Sequence, residues 1–127
     1  MVSFEAFRAV DGTPVYLQII NFIKRGAIAG TIRDGDELPS RRVLSALLGI
    51  NPNTVQKAFH MLEEEHLMES RTGAKSCMTL PPDTLDALRR EVLSDELRAM
   101  ARTLRQLGIS REEALRLIEQ AWKEEEG

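Results

Sequence analysis

Polar side chains that donate and accept hydrogen bonds recur at helical spacing in the middle of the chain. At about 100° per residue, Asn53, Lys57 and His60 lie opposite the apolar stripe of one predicted helix, and Gln56 flanks them. Residues 38–62 contain three Lys or Arg and no Asp or Glu, although the chain has 20 acidic residues. Such a face suits the major groove of DNA, where Gln can read adenine and Lys guanine. A plain helical hairpin with a solvated face is the alternative for this segment.

Two short helices joined by a turn must position this polar face. Ser40 is a suitable N-cap for the first helix, and Gly49 can end it. Asn51 followed by Pro52 opens the second helix as N-cap and first helical residue. In the first helix, apolar residues follow at helical spacing, namely Val43, Leu44, Leu47 and Leu48. In the second, we expect a buried stripe made by Val55, Ala58, Phe59 and Leu62.

The next segment predicts two strands joined by a tight turn. Residues 67–71 and 76–80 form the strands, and Met78 and Leu80 alternate as on one half-buried face. Gly73 is the expected residue with positive φ, and the cations Arg71 and Lys75 flank the turn. A basic hairpin after a helix-turn-helix is a wing, which carries cations to phosphates or to the minor groove.

These segments together resemble a known family. The motifs are Pro14-Val15-Tyr16-Leu17-Gln18-Ile19, Leu38-Pro39-Ser40-x-Arg42, Asn51-Pro52-Asn53-Thr54-Val55-Gln56-Lys57-Ala58, Leu62-Glu63 and Gly73. Over residues 13–80 they are similar to the N-terminal winged helix of GntR-type bacterial transcription factors. The remainder is similar to the YtrA-type subfamily, which has a small helical module in place of a large effector domain.

The resemblance implies DNA contacts at Arg42, at Thr54 on the DNA backbone, and at the wing glycine. Many members have Arg at the positions of Pro52 and Gln56, so the departure here implies a different operator. Lys75 and Cys77 depart from the usual wing motif. From the residues and the resemblance together, the predicted DNA-binding set is Ser40, Arg41, Arg42, Asn51, Asn53, Thr54, Gln56, Lys57, His60, Arg71, Gly73 and Lys75.

Composition and charge restrict which other classes of function fit the sequence. The net charge is −3, but residues 1–80 hold 9 basic and 9 acidic residues, whereas residues 81–127 hold 8 and 11. Local basic patches rather than net charge decide contact with phosphate. No apolar run reaches the roughly 18 residues of a membrane span. The single Cys77 fits a reducing cytoplasm. His60 and His66 lack metal-ligand spacing, so we expect no metal, no cofactor and no enzyme activity.

The flanks of the helix-turn-helix have weaker patterns. An amphipathic helix is predicted from Pro14 to Ala29, with Thr13 as its cap. Glu37 and Leu38 can add a short strand beside the wing. Phe4 and Phe7 either pack on the domain or on a partner, or belong to a frayed terminus.

The C-terminal segment predicts two further helices. Pro81 and Pro82 end the wing, a helix follows over residues 83–107, and Gly108 ends it. Ser110 and Glu113 form the sequence of a capping box for the last helix. These helices expose more apolar side chains than they can bury on each other, so we expect a dimer interface made by Leu85, Leu88, Val92, Leu97, Met100, Leu104, Leu115, Ile118 and Trp122.

The predicted fold is mainly α with a small β wing (α+β): a winged helix-turn-helix over residues 1–80 and a dimerisation hairpin over residues 81–127. We expect a cytoplasmic, homodimeric, sequence-specific regulator that represses through a palindromic double-stranded DNA operator. The resemblance implies that the target is often a transporter operon. Two alternatives stay open, namely a winged-helix protein-interaction module and a regulator whose C-terminal helices bind a small-molecule effector.

Overall fold

The computed structural model describes residues 1–71 and 75–127, and the chain divides into two compact units, 1–89 and 90–127. The described residues form five helices and one three-stranded antiparallel sheet. In chain order these are α1 Val15–Ala29, β1 Glu37–Leu38, α2 Arg41–Leu48, α3 Pro52–Glu64, β2 Met68–Arg71, β3 Lys75–Met78, α4 Pro82–Gln106 and α5 Arg111–Glu126. The predicted fold class, mainly helical with a small β wing, is confirmed.

Helix α1 buries its apolar stripe in the core of the first unit, through Ile19, Ile20, Ile23 and Ala27. The cap predicted from Thr13 is wrong, because Pro14 is the N-cap and its side chain has no group that could cap the helix. The Gln18 side chain fixes the entry of the chain. It accepts a hydrogen bond from the Val10 N–H at 2.8 Å and donates to the carbonyls of Val10 and Thr13 at 2.9 and 2.7 Å.

The first residues of the chain pack on the first unit. Phe4 and Phe7 are buried, and their ring centroids lie 5.2 and 5.5 Å from the Phe22 ring of α1. The Val2 N–H donates to the Glu37 carbonyl of β1 at 2.7 Å. Of the alternatives for this segment, packing on the domain is therefore the one observed.

Local capping builds the turn between α2 and α3 as predicted. The Ser40 hydroxyl accepts from the Val43 N–H at 3.1 Å, and the Asn51 side chain accepts from the Asn53 N–H at 2.8 Å. The buried Ser45 adds a contact that the pattern did not indicate, since its hydroxyl donates to the Ile50 carbonyl at 2.5 Å. These bonds satisfy backbone groups that helix ends leave without partners, so they fix how α3 leaves the turn.

The apolar pattern of α2 is only partly buried. Leu44 is fully buried, but Val43 and Leu47 are 55% and 65% exposed. Helical spacing marked these two residues as apolar, and α3 packs against only one face of this short helix, which leaves both largely exposed. The stripe of α3 is buried throughout as predicted, at Val55, Ala58, Phe59 and Leu62.

The sheet has the strand order β1-β3-β2, so the predicted short strand does lie beside the wing. In the antiparallel registers, Glu37 pairs with Cys77 and Ser70 pairs with Ser76. The predicted alternation is observed at the end of the wing, where Met78 and Leu80 are buried and Thr79 between them is half-buried. Within β3, Ser76 and Cys77 are buried as well.

The second unit consists of α4 from Arg90 onward and α5. Gly108 has φ +77°, and the Ile109 N–H donates to the Leu104 carbonyl at 3.0 Å, which closes α4 as a left-handed C-cap. The Ser110 hydroxyl accepts from the Glu113 N–H at 3.2 Å and caps α5. No residue of α5, which is described in full, is buried. The large apolar side chains of α5, namely Leu115, Leu117, Ile118 and Trp122, are therefore exposed.

Candidate nucleic-acid interface

The exposed face of α3 carries the side chains that the sequence singled out. Asn53, Gln56, Lys57 and His60 are exposed, and Thr54 is half-buried at the edge of this face. The Asn51 cap and Pro52 hold the first turn, and the buried stripe anchors the opposite side. The N-terminal half of α3 thus presents amide and ammonium groups to solvent on a rigid element. Such an arrangement can donate to and accept from base edges.

Lys57 is the cation of this face, and its side chain lies against α1. Its Nζ atom sits 4.0 Å from the centroid of the Tyr16 ring. An ammonium over the negative face of an aromatic ring is a cation–π contact. Sequence analysis did not assign Tyr16 to the site. Its position outside the buried stripe of α1 was the available signal.

The C-terminal half of the face carries acid. His60 Nε2 lies 2.7 Å from Glu64 Oε1, one helical turn further on, and both side chains are well exposed. A phosphate that approached His60 would compete with this carboxylate. The first turns of α3 are therefore better suited than the last to approach DNA.

The adjacent arginines Arg41 and Arg42 have different surroundings. The Arg41 guanidinium lies 3.3 Å from Glu63 Oε1 and 5.5 Å from the Phe59 ring centroid, both in α3. Glu63 Oε1 also accepts from the Ser70 hydroxyl at 3.1 Å, so this carboxylate joins α2, α3 and β2. Arg41, which belongs to the predicted DNA-binding set, is thus paired with groups of its own domain and is about one-third exposed.

Arg42 is exposed, and within residues 1–71 and 75–127 its side chain makes no hydrogen bond or ion pair. Ser40, which precedes the two arginines, is exposed too, but its hydroxyl already caps α2. The Asn51 side-chain oxygen is likewise used as a cap, which leaves its amide group as the available donor. An exposed guanidinium such as that of Arg42, in the first turn of α2, can bind a phosphate without first breaking an internal ion pair.

The wing places two cations on adjacent strands. Arg71 lies 3.3 Å from Glu69, and Lys75 lies 3.9 Å from Glu37; both basic side chains are exposed. The predicted wing glycine, Gly73, lies outside the described residues. Surface pairs of this kind are weak and screened by salt, so both cations can exchange their acidic partner for phosphate.

The predicted dimer residues fall into two groups. Leu97, Met100, Leu115, Ile118 and Trp122 are exposed, whereas Leu85, Val92 and Leu104 are half-buried. Leu88 is only 5% exposed in a single chain, so it belongs to the core of the first unit and cannot supply a surface for a second chain.

Within the second unit, α4 and α5 form an open apolar groove. Its walls are Leu97, Met100, Leu104, Leu117, Ile118, Ala121 and Trp122, with Glu125 and Glu126 at one rim. In the described part of the chain, no group of His, Cys, Asp and Glu side chains could hold a metal ion. No described helix is both long and apolar enough to cross a membrane.

Comparison with known proteins places these features in context. A family model described as "Bacterial regulatory proteins, gntR family" matches residues 15–75. Over 102 residues the chain is 28% identical to the HTH-type transcriptional regulator YhcF of Bacillus subtilis. The aligned region covers 80% of this chain and 84% of YhcF. Over 63 residues it is 43% identical to the HTH-type transcriptional repressor YtrA of Bacillus subtilis. This aligned region covers 50% of this chain and 48% of YtrA.

Among solved structures, a GntR family transcriptional regulator from Listeria monocytogenes superposes with a TM-score of 0.82 at 27% identity. The superposition covers 88% of this chain and 98% of that one, so it extends beyond the winged helix. The chain spans most of YhcF and about half of YtrA.

Proposed function

The chain belongs to the gntR family of bacterial regulatory proteins through its residues 15–75, and we propose that this YtrA-type transcriptional regulator is a homodimeric repressor that binds a palindromic operator. The observation that carries the proposal is the exposed polar face on the N-terminal half of α3, together with the exposed Arg42 in the first turn of α2. The 43% identity to YtrA, named as a repressor, supports repression as the direction of control. The proposal assigns no enzyme activity, and it places the protein in the cytoplasm with its DNA target.

In this proposal the role of each residue follows from the hydrogen-bonding group of its side chain. Asn53 and Gln56 read base edges, because an amide can pair with adenine in two hydrogen bonds. Arg42, Thr54 and the amide group of Asn51 bind phosphates, which position the domain on the duplex without reading sequence. Ser40 and His60 are both exposed, and in this proposal they make secondary contacts.

The wing cations Arg71 and Lys75 bind phosphate or the adjacent minor groove. Each is now paired with a carboxylate, at 3.3 and 3.9 Å, on the surface of the sheet. Because those pairs are exposed, breaking them costs little when DNA replaces the carboxylate. Gly73 belongs to the same proposed contact through the wing turn.

The apolar groove between α4 and α5 supports a homodimer. Leu97 and Trp122 are 62% and 69% exposed within one chain, and they line the groove with Met100 and Ile118. Contiguous apolar surface of this kind marks an interaction site in a soluble protein. A second copy is the occupant we propose, since twofold symmetry also matches the two half-sites of a palindrome.

DNA binding is tested with purified protein and fluorescent DNA from the region upstream of its own gene, over a salt series with unrelated DNA as competitor. We expect competitor-resistant binding, two protomers per site, and an affinity that falls steeply with salt because each phosphate contact releases counterions. Equal displacement by any DNA, or no binding at low salt, would overturn the operator proposal and favour the protein-interaction alternative.

The dimer is tested by sedimentation of wild type, Leu97→Glu and Leu107→Glu. Leu97 lines the groove, whereas Leu107 is 71% exposed but lies outside the groove walls, which makes it a matched control. We expect Leu97→Glu alone to give monomers, and the emission of Trp122, the only tryptophan, to shift to longer wavelength in that variant. Monomeric wild type would contradict the dimer.

A small-molecule effector in the same groove is the second candidate, favoured by its almost wholly apolar walls. The two candidates make opposite predictions for an apolar ligand. Saturable heat on titration, with a change in operator affinity, would support an effector site. If the dimer fills the groove, no such heat is expected.

A further inference from the structure

Lys57 and Tyr16 form a contact that changes how the polar face of α3 must be interpreted. The Lys57 ammonium lies 4.0 Å from the Tyr16 ring centroid. Within residues 1–71 and 75–127, no carboxylate pairs with Lys57, so the ring is its partner there. Tyr16 is the second residue of α1 and is only half-buried, which leaves the contact open to solvent at one side.

The ring gives the Lys57 side chain a direction. On α3, Lys57 lies one turn after Thr54, so the two share the edge that faces α1. Gln56 lies about 100° away on the opposite edge of the exposed face. An ammonium drawn toward α1 is therefore displaced from the centre of the surface that would enter the groove, where Asn53 lies.

We infer that Tyr16 is a positioning residue of the DNA interface, whose ring holds Lys57 on the α1 edge of α3 where it meets a backbone phosphate. This deepens the proposed function and depends on it. It also replaces the prediction that Lys57 reads guanine. A lysine ammonium is a compact point charge with three donors, so it can bind a phosphate while it remains over the ring. To reach a base edge it would first have to leave the ring.

Three variants distinguish the contributions of the Tyr16 ring, the Tyr16 bulk and the Lys57 charge. Tyr16→Phe keeps the ring, Tyr16→Leu keeps an apolar side chain without the ring, and Lys57→Met removes the charge but keeps the stem. In the free protein, proton NMR should show the Lys57 ε-methylene protons shifted upfield by the ring. The shift should persist in Tyr16→Phe and vanish in Tyr16→Leu.

DNA binding supplies the functional measurement. Lys57→Met should weaken binding to the operator, to its single-base variants and to unrelated DNA by the same factor. It should also reduce the salt dependence of binding, with a slope smaller by about 0.9 for each phosphate that is no longer neutralised. Tyr16→Leu should weaken binding about two- to fivefold, which is the range of an exposed cation–π contact. Tyr16→Phe should restore most of that affinity. In a Lys57→Met background, Tyr16→Leu should have no further effect.

Specific results would overturn the inference. A Lys57→Met effect confined to one base pair would make Lys57 a base reader. An equal effect of Tyr16→Leu with and without the lysine would make Tyr16 merely structural, as would an unshifted ε-methylene signal in the wild type. Absence of this coupling in a protein that still binds its operator would refute only this inference, whereas a wild type that binds no DNA would refute the proposed function itself.

Discussion

Alanine substitution of the neighbouring arginines Arg41 and Arg42 should separate folding from DNA binding. The Arg41 guanidinium is paired with Glu63 at 3.3 Å and lies over the Phe59 ring, whereas Arg42 is exposed. Sequence analysis placed both in the DNA-binding set, because adjacent arginines look alike without their surroundings. We therefore expect Arg41→Ala to lower stability and Arg42→Ala to lower operator affinity.

The magnitude for Arg42 follows from one phosphate contact. A hydrogen bond to a charged group contributes about 1.5–3 kcal/mol, so Arg42→Ala should weaken binding by about 10- to 100-fold at about 1.4 kcal/mol for each factor of ten. The salt slope should fall by about 0.9 for each phosphate that the variant no longer binds. Its free energy of unfolding should stay within about 0.5 kcal/mol of wild type, as for other exposed positions.

The magnitude for Arg41 follows from two partly exposed contacts. Both partners of its ion pair are about one-third exposed, at 33% and 32%, so solvent screening limits the pair to about 0.2–1 kcal/mol. The contact with Phe59 adds about 0.5–1 kcal/mol. A decrease of about 1 kcal/mol in stability lowers the melting temperature of a domain of this size by about 4–8 °C.

The assay combines thermal melts followed by circular dichroism with fluorescence anisotropy on labelled operator over a salt series. Arg116→Ala, an exposed cation on α5 outside the groove walls, is the charge-matched control. The reasoning would be refuted by an Arg41→Ala variant that melts like wild type but binds the operator weakly, together with an Arg42→Ala variant that binds normally.

Three stability predictions follow from packing and hydrogen bonds in the first unit, each measured by urea unfolding. Leu44→Ala should cost about 2–5 kcal/mol because Leu44 is fully buried, whereas Leu47→Ala should stay within about 0.5 kcal/mol; similar costs would contradict the observed exposure. Gly26→Ala should cost about 1–3 kcal/mol, because the added Cβ would lie 2.6 Å from the Ile32 Cδ1 atom; Ile32→Val, which lacks that atom, should reduce the penalty. Ser45→Ala should cost about 1–3 kcal/mol, because it leaves a carbonyl without its donor; Ser45→Thr, which keeps the hydroxyl, tests whether that bond is the cause.

Local signals in the sequence located the elements of this protein with little error. The Ser40, Asn51 and Ser110 caps and the left-handed Gly49 and Gly108 act within a few residues. Their geometry therefore depends on chain-local sterics and hydrogen bonds. For the same reason, the sequence could predict that the N-terminal half of α3 carries an exposed polar face.

Partners that lie far apart in the chain could not be predicted. The periodicity of α2 marked Val43 and Leu47 as apolar but not whether another element covers them, and both are exposed. The short strand β1 beside the wing was predicted, but its pairing with β3 in particular, some forty residues later in the chain, depends on the tertiary fold.

The candidate site divides in the same way between sequence and tertiary structure. The sequence by itself determined which side chains lie on the outer face of α3, because helical rotation fixes that set. Only the tertiary structure decided what each cation touches: Lys57 the ring of Tyr16, Arg41 the carboxylate of Glu63, and Arg42 no polar or charged partner in the described part of the chain. The physical reason is that a helical pattern specifies direction around an axis, whereas the role of a long flexible cation depends on which groups the rest of the fold brings within its reach.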